Sequence, residues 1–96
     1  MSRRTIYKFR LYVAGDGPNS SQARANLAAL CRDHLPERYQ IEIIDVINEP
    51  ERALADRIFM TPTLVKLAPA PVRTLVGTLS DRQVVLQSLG MDPLSM

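Results

Sequence analysis

Pro62, Pro69 and Pro71 fall within one ten-residue span, and they constrain the architecture more than any other feature of the chain. A proline has a fixed φ and no backbone N–H, so it is excluded from helix interiors and from central strand positions. Whatever lies between Pro62 and Pro69 must therefore be one short element. Its sequence, "TLVKLA", has the character of a strand. "PAP" makes a rigid turn, and "VRTLVG" forms a second strand that so tight a connection makes antiparallel to the first. The Met-Thr-Pro-Thr step ahead of the pair suits a tight corner, with Pro62 a candidate for a cis peptide bond.

The rest of the chain supplies the other elements. From Ile6 to Val13 the residues alternate, Tyr7, Phe9, Leu11 and Val13 on one face and Lys8, Arg10 and Tyr12 on the other, which predicts a strand. "AGDGPNSS" ends it as a turn, and Ser20 or Ser21 is expected to cap the helix that follows. Ala23, Leu27, Leu30, Cys31 and His34 recur at helical spacing until Pro36. "YQIEIIDVI" predicts a second strand, buried on both faces near Ile43 to Val46. Asn48, a first-turn proline and Glu51 announce a short helix with Ala53, Leu54 and Ile58 inward. Near the end, Ser80 and Gln83 have capping-box spacing ahead of Val84, Val85, Leu86 and Leu89, and Gly90 suits a left-handed helix terminus.

The order is β-α-β-α-β-β-α, a thioredoxin-like α/β succession in one domain over residues 1–96. Local preferences in the last third are divided. "LVKLA" also has the spacing of a short helix, and the adjacent β-branched residues of "VVLQSL" favour a strand.

Composition narrows the function classes. One cysteine excludes an intramolecular disulfide and a cysteine-rich zinc site, and it suits a reducing, cytoplasmic setting. The N-terminus has no long apolar stretch, and no segment reaches the ~20 apolar residues of a membrane span. The net charge is only +2, far below what a nucleic-acid surface requires.

The sequence also lacks the chemistry of a redox thioredoxin. The nucleophilic thiolate of such a fold sits at the start of the first helix, where free N–H groups stabilise it. That position is "GDGPNSS", without a thiol. Cys31 lies at the far end of the helix on its apolar face, the environment of an inert structural thiol. His34 follows one turn on, but there is no second cysteine or histidine to complete a nucleophilic or metal site. Asp16 and Asp45 are isolated carboxylates without an identified catalytic partner, and "AGDG" lacks the lysine and spacing of a phosphate loop. No cofactor, catalytic or metal constellation emerges. The competing reading is a thioredoxin-like redox or glutathione-linked enzyme using Cys31.

Four collinear blocks, "LYVAGDGPNSSQA", "YQIEIIDVINEPERA", "DRIFMTPTLVKLAPAPVR" and "VGTLSDRQVVLQSL", resemble the KaiB family of circadian clock proteins from Ile6 to Leu89. The resemblance implies a non-enzymatic protein that binds the N-terminal ATPase ring of a hexameric KaiC-type ATPase and autokinase. KaiA and a clock histidine kinase are its further implied partners. The family also implies two folds, a thioredoxin-like monomer and a tetrameric ground state ordered βαββααβ, which differ in the C-terminal half. The thioredoxin-like monomer is the expected resting state of this chain.

By resemblance, Arg10, Tyr12, Lys66 and Arg73 are expected at the partner surface, and Pro62, Pro69 and Pro71 in structural roles. Without the resemblance, Lys66 and Arg73 would be ordinary solvated charges on strand faces. Some positions depart from the family pattern. Ala70 interrupts a proline run, Thr74 replaces a second arginine, and Thr78 stands where Gly-Asp-Leu-Ser is common. Glu42 stands where a lysine is common, and "MDPLSM" matches no acidic tail. These departures bear on KaiA contacts and tetramer assembly more than on the fold, and they suit a divergent stand-alone member.

Overall fold

The structure, a computed structural model, describes residues 5–91. Its elements are β1 (Tyr7–Val13), α1 (Pro18–His34), β2 (Tyr39–Asp45), α2 (Pro50–Ala55), β3 (Thr63–Ala68), β4 (Arg73–Val76) and α3 (Arg82–Ser88). That is the βαβαββα order of the sequence reading. The four strands form one sheet in the order β2-β1-β3-β4. β1 runs parallel to β2 and antiparallel to β3, and β4 returns antiparallel on the far edge.

The parity of β1 divides the sheet as its alternation predicts. Phe9, Leu11 and Val13 meet Ala23, Leu27, Leu30 and Cys31 of α1 and Val85 and Leu86 of α3 in one core. On the opposite face Tyr12 and Ile44 are buried, on the side where Tyr12 meets Asp56 just past α2.

Several local expectations are corrected, each for a tertiary reason. α1 begins at Pro18 with Gly17 as its cap residue, because a proline at the first helical position has no N–H to satisfy. Ser20 faces the preceding loop, accepting from the Ala14 N–H at 3.1 Å, and Ser21 donates to the Asp16 carbonyl. β2 is a sheet edge, so it is not buried on both faces: Ile44 is sealed while Ile43 is 38% exposed. Asn48 is a turn residue bonded to the Asp45 carbonyl, and Glu49 precedes α2. With six residues, α2 makes under two turns and presents one buried side chain, Ala53. Leu54 is exposed and Ile58 falls beyond the helix.

At α3 the cap is Asp81, whose carboxylate accepts from the Val84 N–H at 3.3 Å, while Ser80 shares a hydrogen bond with Thr78. Val84 consequently faces solvent. Gly90, at φ 74°, ends the helix as expected, and the Met91 N–H reaches back to the Leu86 carbonyl at 2.7 Å. The peptide bonds Thr61–Pro62, Ala68–Pro69 and Ala70–Pro71 are cis.

Candidate functional site

Arg10 and Tyr12 project from β1 onto the sheet face away from α1, and a charge network forms around them. Glu42, opposite Arg10 on β2, accepts from Arg10 Nε at 2.9 Å and from Arg52 Nη1 of α2 at 2.9 Å. Asp56, just beyond α2, accepts the Tyr12 hydroxyl and lies 3.6 Å from Arg10 Nη1. One carboxylate thus bridges two arginines, and the other joins β1 to the end of α2.

The titration behaviour follows from these contacts. Arg52 and then Arg10 hold the Glu42 carboxyl below its ordinary range. Burial, then the hydrogen bond to Asp56, pushes the Tyr12 phenol up. Arg10, beside Tyr12 and Glu42, is held more firmly protonated. Exposed ion pairs contribute little to stability, so the network chiefly sets the orientation of its side chains. A groove of ≈ 290 Å³ opens beside it, lined by Arg10, Tyr12, Asp56, Val65, Val72 and Thr74 among others.

Lys66 has a different position from the one expected of a partner-facing charge. On β3 it pairs with Phe9, so its side chain enters the α1–α3 side of the sheet. It is 3% exposed, and Nζ donates to the Leu89 carbonyl at the end of α3 at 3.2 Å. The ammonium also lies 5.9 Å from the Tyr7 ring centroid. Burial and, secondarily, Arg73 lower its pKa. The apolar stem is packed and the charge answers a helix C-terminus, where carbonyls are left over. In this fold Lys66 is not exposed for a partner.

Arg73, its neighbour across the strands, is exposed at the start of β4. Pro62 is buried beneath the corner, Pro69 is half-buried, and Pro71 is exposed in the turn. The structure therefore brings Arg10 and Tyr12 together and separates them from Lys66.

Sequence reasoning missed the apolar surface beside the corner. Phe59 is 80% exposed, and with Met60, Ile58, Thr74, Val76 and Arg57 it lines a hollow of ≈ 170 Å³. The available signal was two adjacent large apolar residues in a loop ahead of a proline, where no core periodicity asks for them.

Cys31 is fully buried in the core, and burial pushes its thiol up to about 12 from an ordinary 9.0. Among the described residues no three His, Cys, Asp or Glu side chains cluster as metal ligands would, and no helix is long and apolar enough to cross a membrane. Labelling with a thiol reagent at pH 8 is expected to be negligible in the folded protein and rapid in denaturant. Fast labelling of the native chain would contradict the burial. The linkage has a definite sign. The folded pKa is raised, so the neutral thiol's contribution is fully present below pH 9 and is lost as pH rises toward 12.

Comparison with known proteins covers nearly the whole chain. Residues 10–91 match the family model described as the KaiB domain. The circadian clock oscillator protein KaiB of Prochlorococcus marinus (strain MIT 9313) is 45% identical over 92 residues, spanning 96% of this chain and 76% of that protein. The circadian clock protein KaiB3 of Synechocystis sp. is 40% identical over 84 residues, spanning 88% of this chain and 82% of its own length. Among solved structures, the N-terminal domain of Synechococcus elongatus SasA superposes with a TM-score of 0.75 at 20% identity, covering 100% of this chain and 90% of that one. A chloroplastic thioredoxin z gives a TM-score of 0.75 at 19% identity, covering 92% and 80%. At such identities the two structures establish the thioredoxin-like fold alone.

Proposed function

Because the chain belongs to the KaiB family of circadian clock proteins, we propose that it is a non-enzymatic clock or regulatory protein that binds the N-terminal ATPase ring of a KaiC-type hexamer. It acts in the cytoplasm as a thioredoxin-like monomer and modulates the phosphorylation cycle of the ring. The observation that carries this reading is the family match over residues 10–91. The thioredoxin-like arrangement of β3, β4 and α3 supports it, since the binding form of the family is expected to have that arrangement. Arg10, held in the network with Glu42 and Asp56, and exposed Arg73 are the proposed contact residues, while Tyr12, 1% exposed, contributes indirectly by fixing Asp56. Lys66 contributes indirectly, by seating α3.

The redox alternative loses support from the burial of Cys31 and from the absence of any other cysteine. Mixing the chain with cognate KaiC-type rings in ATP or ADP, followed by size-exclusion chromatography, tests both readings. Co-elution of the parent and of Cys31→Ser is expected, with no thiol–disulfide exchange activity. A chain that joins no cognate ring sinks the clock assignment. Loss of binding in a folded Cys31→Ser variant, with measurable exchange activity in the parent, favours the redox reading.

A further inference from the structure

β4 is one of the two edge strands of the sheet, opposite β2. The Gly77 N–H donates to the Pro62 carbonyl at 2.9 Å, and the register pairs Leu64 with Leu75 and Lys66 with Arg73. In an antiparallel ladder the hydrogen-bonded pairs alternate, so these are the pairs whose backbone groups face β3. The backbone N–H and C=O groups of Thr74 and Val76 therefore point outward. Natural edges are usually blunted by short length, charge, proline or a bulge; β4 is four residues long and begins with Arg73, and its Thr74-Leu75-Val76 stretch carries no charge or proline.

The side chains of the same two residues point into the hollow with Phe59, Met60 and Ile58. Phe59, Met60 and Val76 are 80%, 62% and 56% exposed, so the apolar surface is contiguous with the unpaired edge. Arg57 lines the hollow, no carboxylate does, and neither Arg57 nor Arg73 makes an ion pair among the described residues. Arg57 also occupies the left-handed region, at φ 60°, where glycine would sit without strain.

Resting on the family reading above, we propose that the edge of β4 is a docking strand for an extended segment of the ATPase partner. That segment has apolar residues at alternate positions, over Phe59, Met60 and Val76, and an acidic side chain within reach of Arg57. Backbone hydrogen bonds supply affinity and alternate side chains supply specificity, the physics of strand addition. A second copy of this chain is the poorer occupant, because it would bring a further Arg57 to a hollow that already holds one and no carboxylate.

The test uses the full chain and a ring that binds it, with Arg57→Gly and Val76→Lys as variants. Both positions are exposed, and Arg57→Gly relieves the left-handed backbone, so its melting temperature should hold or rise. Each variant is expected to weaken ring binding about tenfold or more while backbone NMR shifts stay native. In the complex, hydrogen exchange at the Thr74 and Val76 amides should slow, which a contact made by side chains alone would not produce. Unchanged affinity in both variants, or unprotected amides at 74 and 76 in the bound state, overturns the docking strand while leaving ring binding intact. Protection of those amides by self-association without the ring overturns the occupant. Failure of the parent to bind any ring removes the family-based function and this inference together.

Discussion

Replacing Lys66 with glutamate is expected to cost about 3–5 kcal/mol, the range for an uncompensated buried charge. For a chain of this length the whole stability is roughly 5–14 kcal/mol, so the variant should be close to unfolding. The ammonium that donates to the Leu89 carbonyl at 3.2 Å would be replaced by a carboxylate that can only repel that oxygen. The new charge would sit against a helix C-terminus, where a negative charge is unfavourable. Lys66→Met separates packing from charge, since it keeps the buried stem and leaves the carbonyl without its partner. Its cost should be about 1–3 kcal/mol. Urea unfolding followed by circular dichroism measures both. An unfolding free energy for Lys66→Glu within about 0.5 kcal/mol of the parent, the usual spread of a surface substitution, would mean that Lys66 is solvent-facing in solution.

Asp45→Ala should lower stability by about 1.5–3 kcal/mol, the scale of hydrogen bonds to a charged group. Its Oδ1 accepts from the Gly15 N–H at 3.1 Å and from the Ile47 N–H at 2.9 Å. The carboxylate therefore ties the loop after β1 to the turn after β2, across 30 residues of sequence. Gly15 lies at φ 62° and half-buried, so its N–H cannot turn readily to water. Asp45→Asn keeps an acceptor oxygen and should recover part of the loss. Thermal unfolding of the pair is the measurement, and an alanine variant as stable as the parent would refute the tie. An isolated strand-end carboxylate, which in sequence resembles a stray candidate base, is accounted for by this structural duty.

How much of the molecule was legible beforehand depended on the range of the forces involved. The β1 alternation placed Phe9, Leu11 and Val13 in the core because strand parity is a property of neighbouring residues. Gly90 terminated α3 as expected because a left-handed residue is favoured by the absence of its own Cβ. Capping was read less well. Ser20, Asn48 and Ser80 all had suitable chemistry, and each was displaced by Gly17, Glu49 or Asp81. A cap is chosen by where the chain enters the helix, and packing of the loop decides that to within one residue. Of the four expected contact residues, Arg10 and Tyr12 could be paired by their spacing in one strand. The roles of Glu42, Arg52 and Asp56 could not, since they arrive from β2, α2 and the loop beyond.

By itself, then, the amino-acid order determined the succession of elements and the family. Prolines, glycines and two-residue periodicity act locally, and the collinear blocks identify a family whether or not a fold is known. Only the tertiary structure decided which side of β3 is covered. Parity puts Lys66 and Val65 on opposite faces, but it does not say which face α1 and α3 will cover. Once those helices pack on the Phe9 side, Lys66 is enclosed against the end of α3, and Thr74 and Val76 are left at an open edge with Phe59. A charge that is solvated in an isolated strand thus becomes a buried support, because burial is a property of the layers and not of the strand.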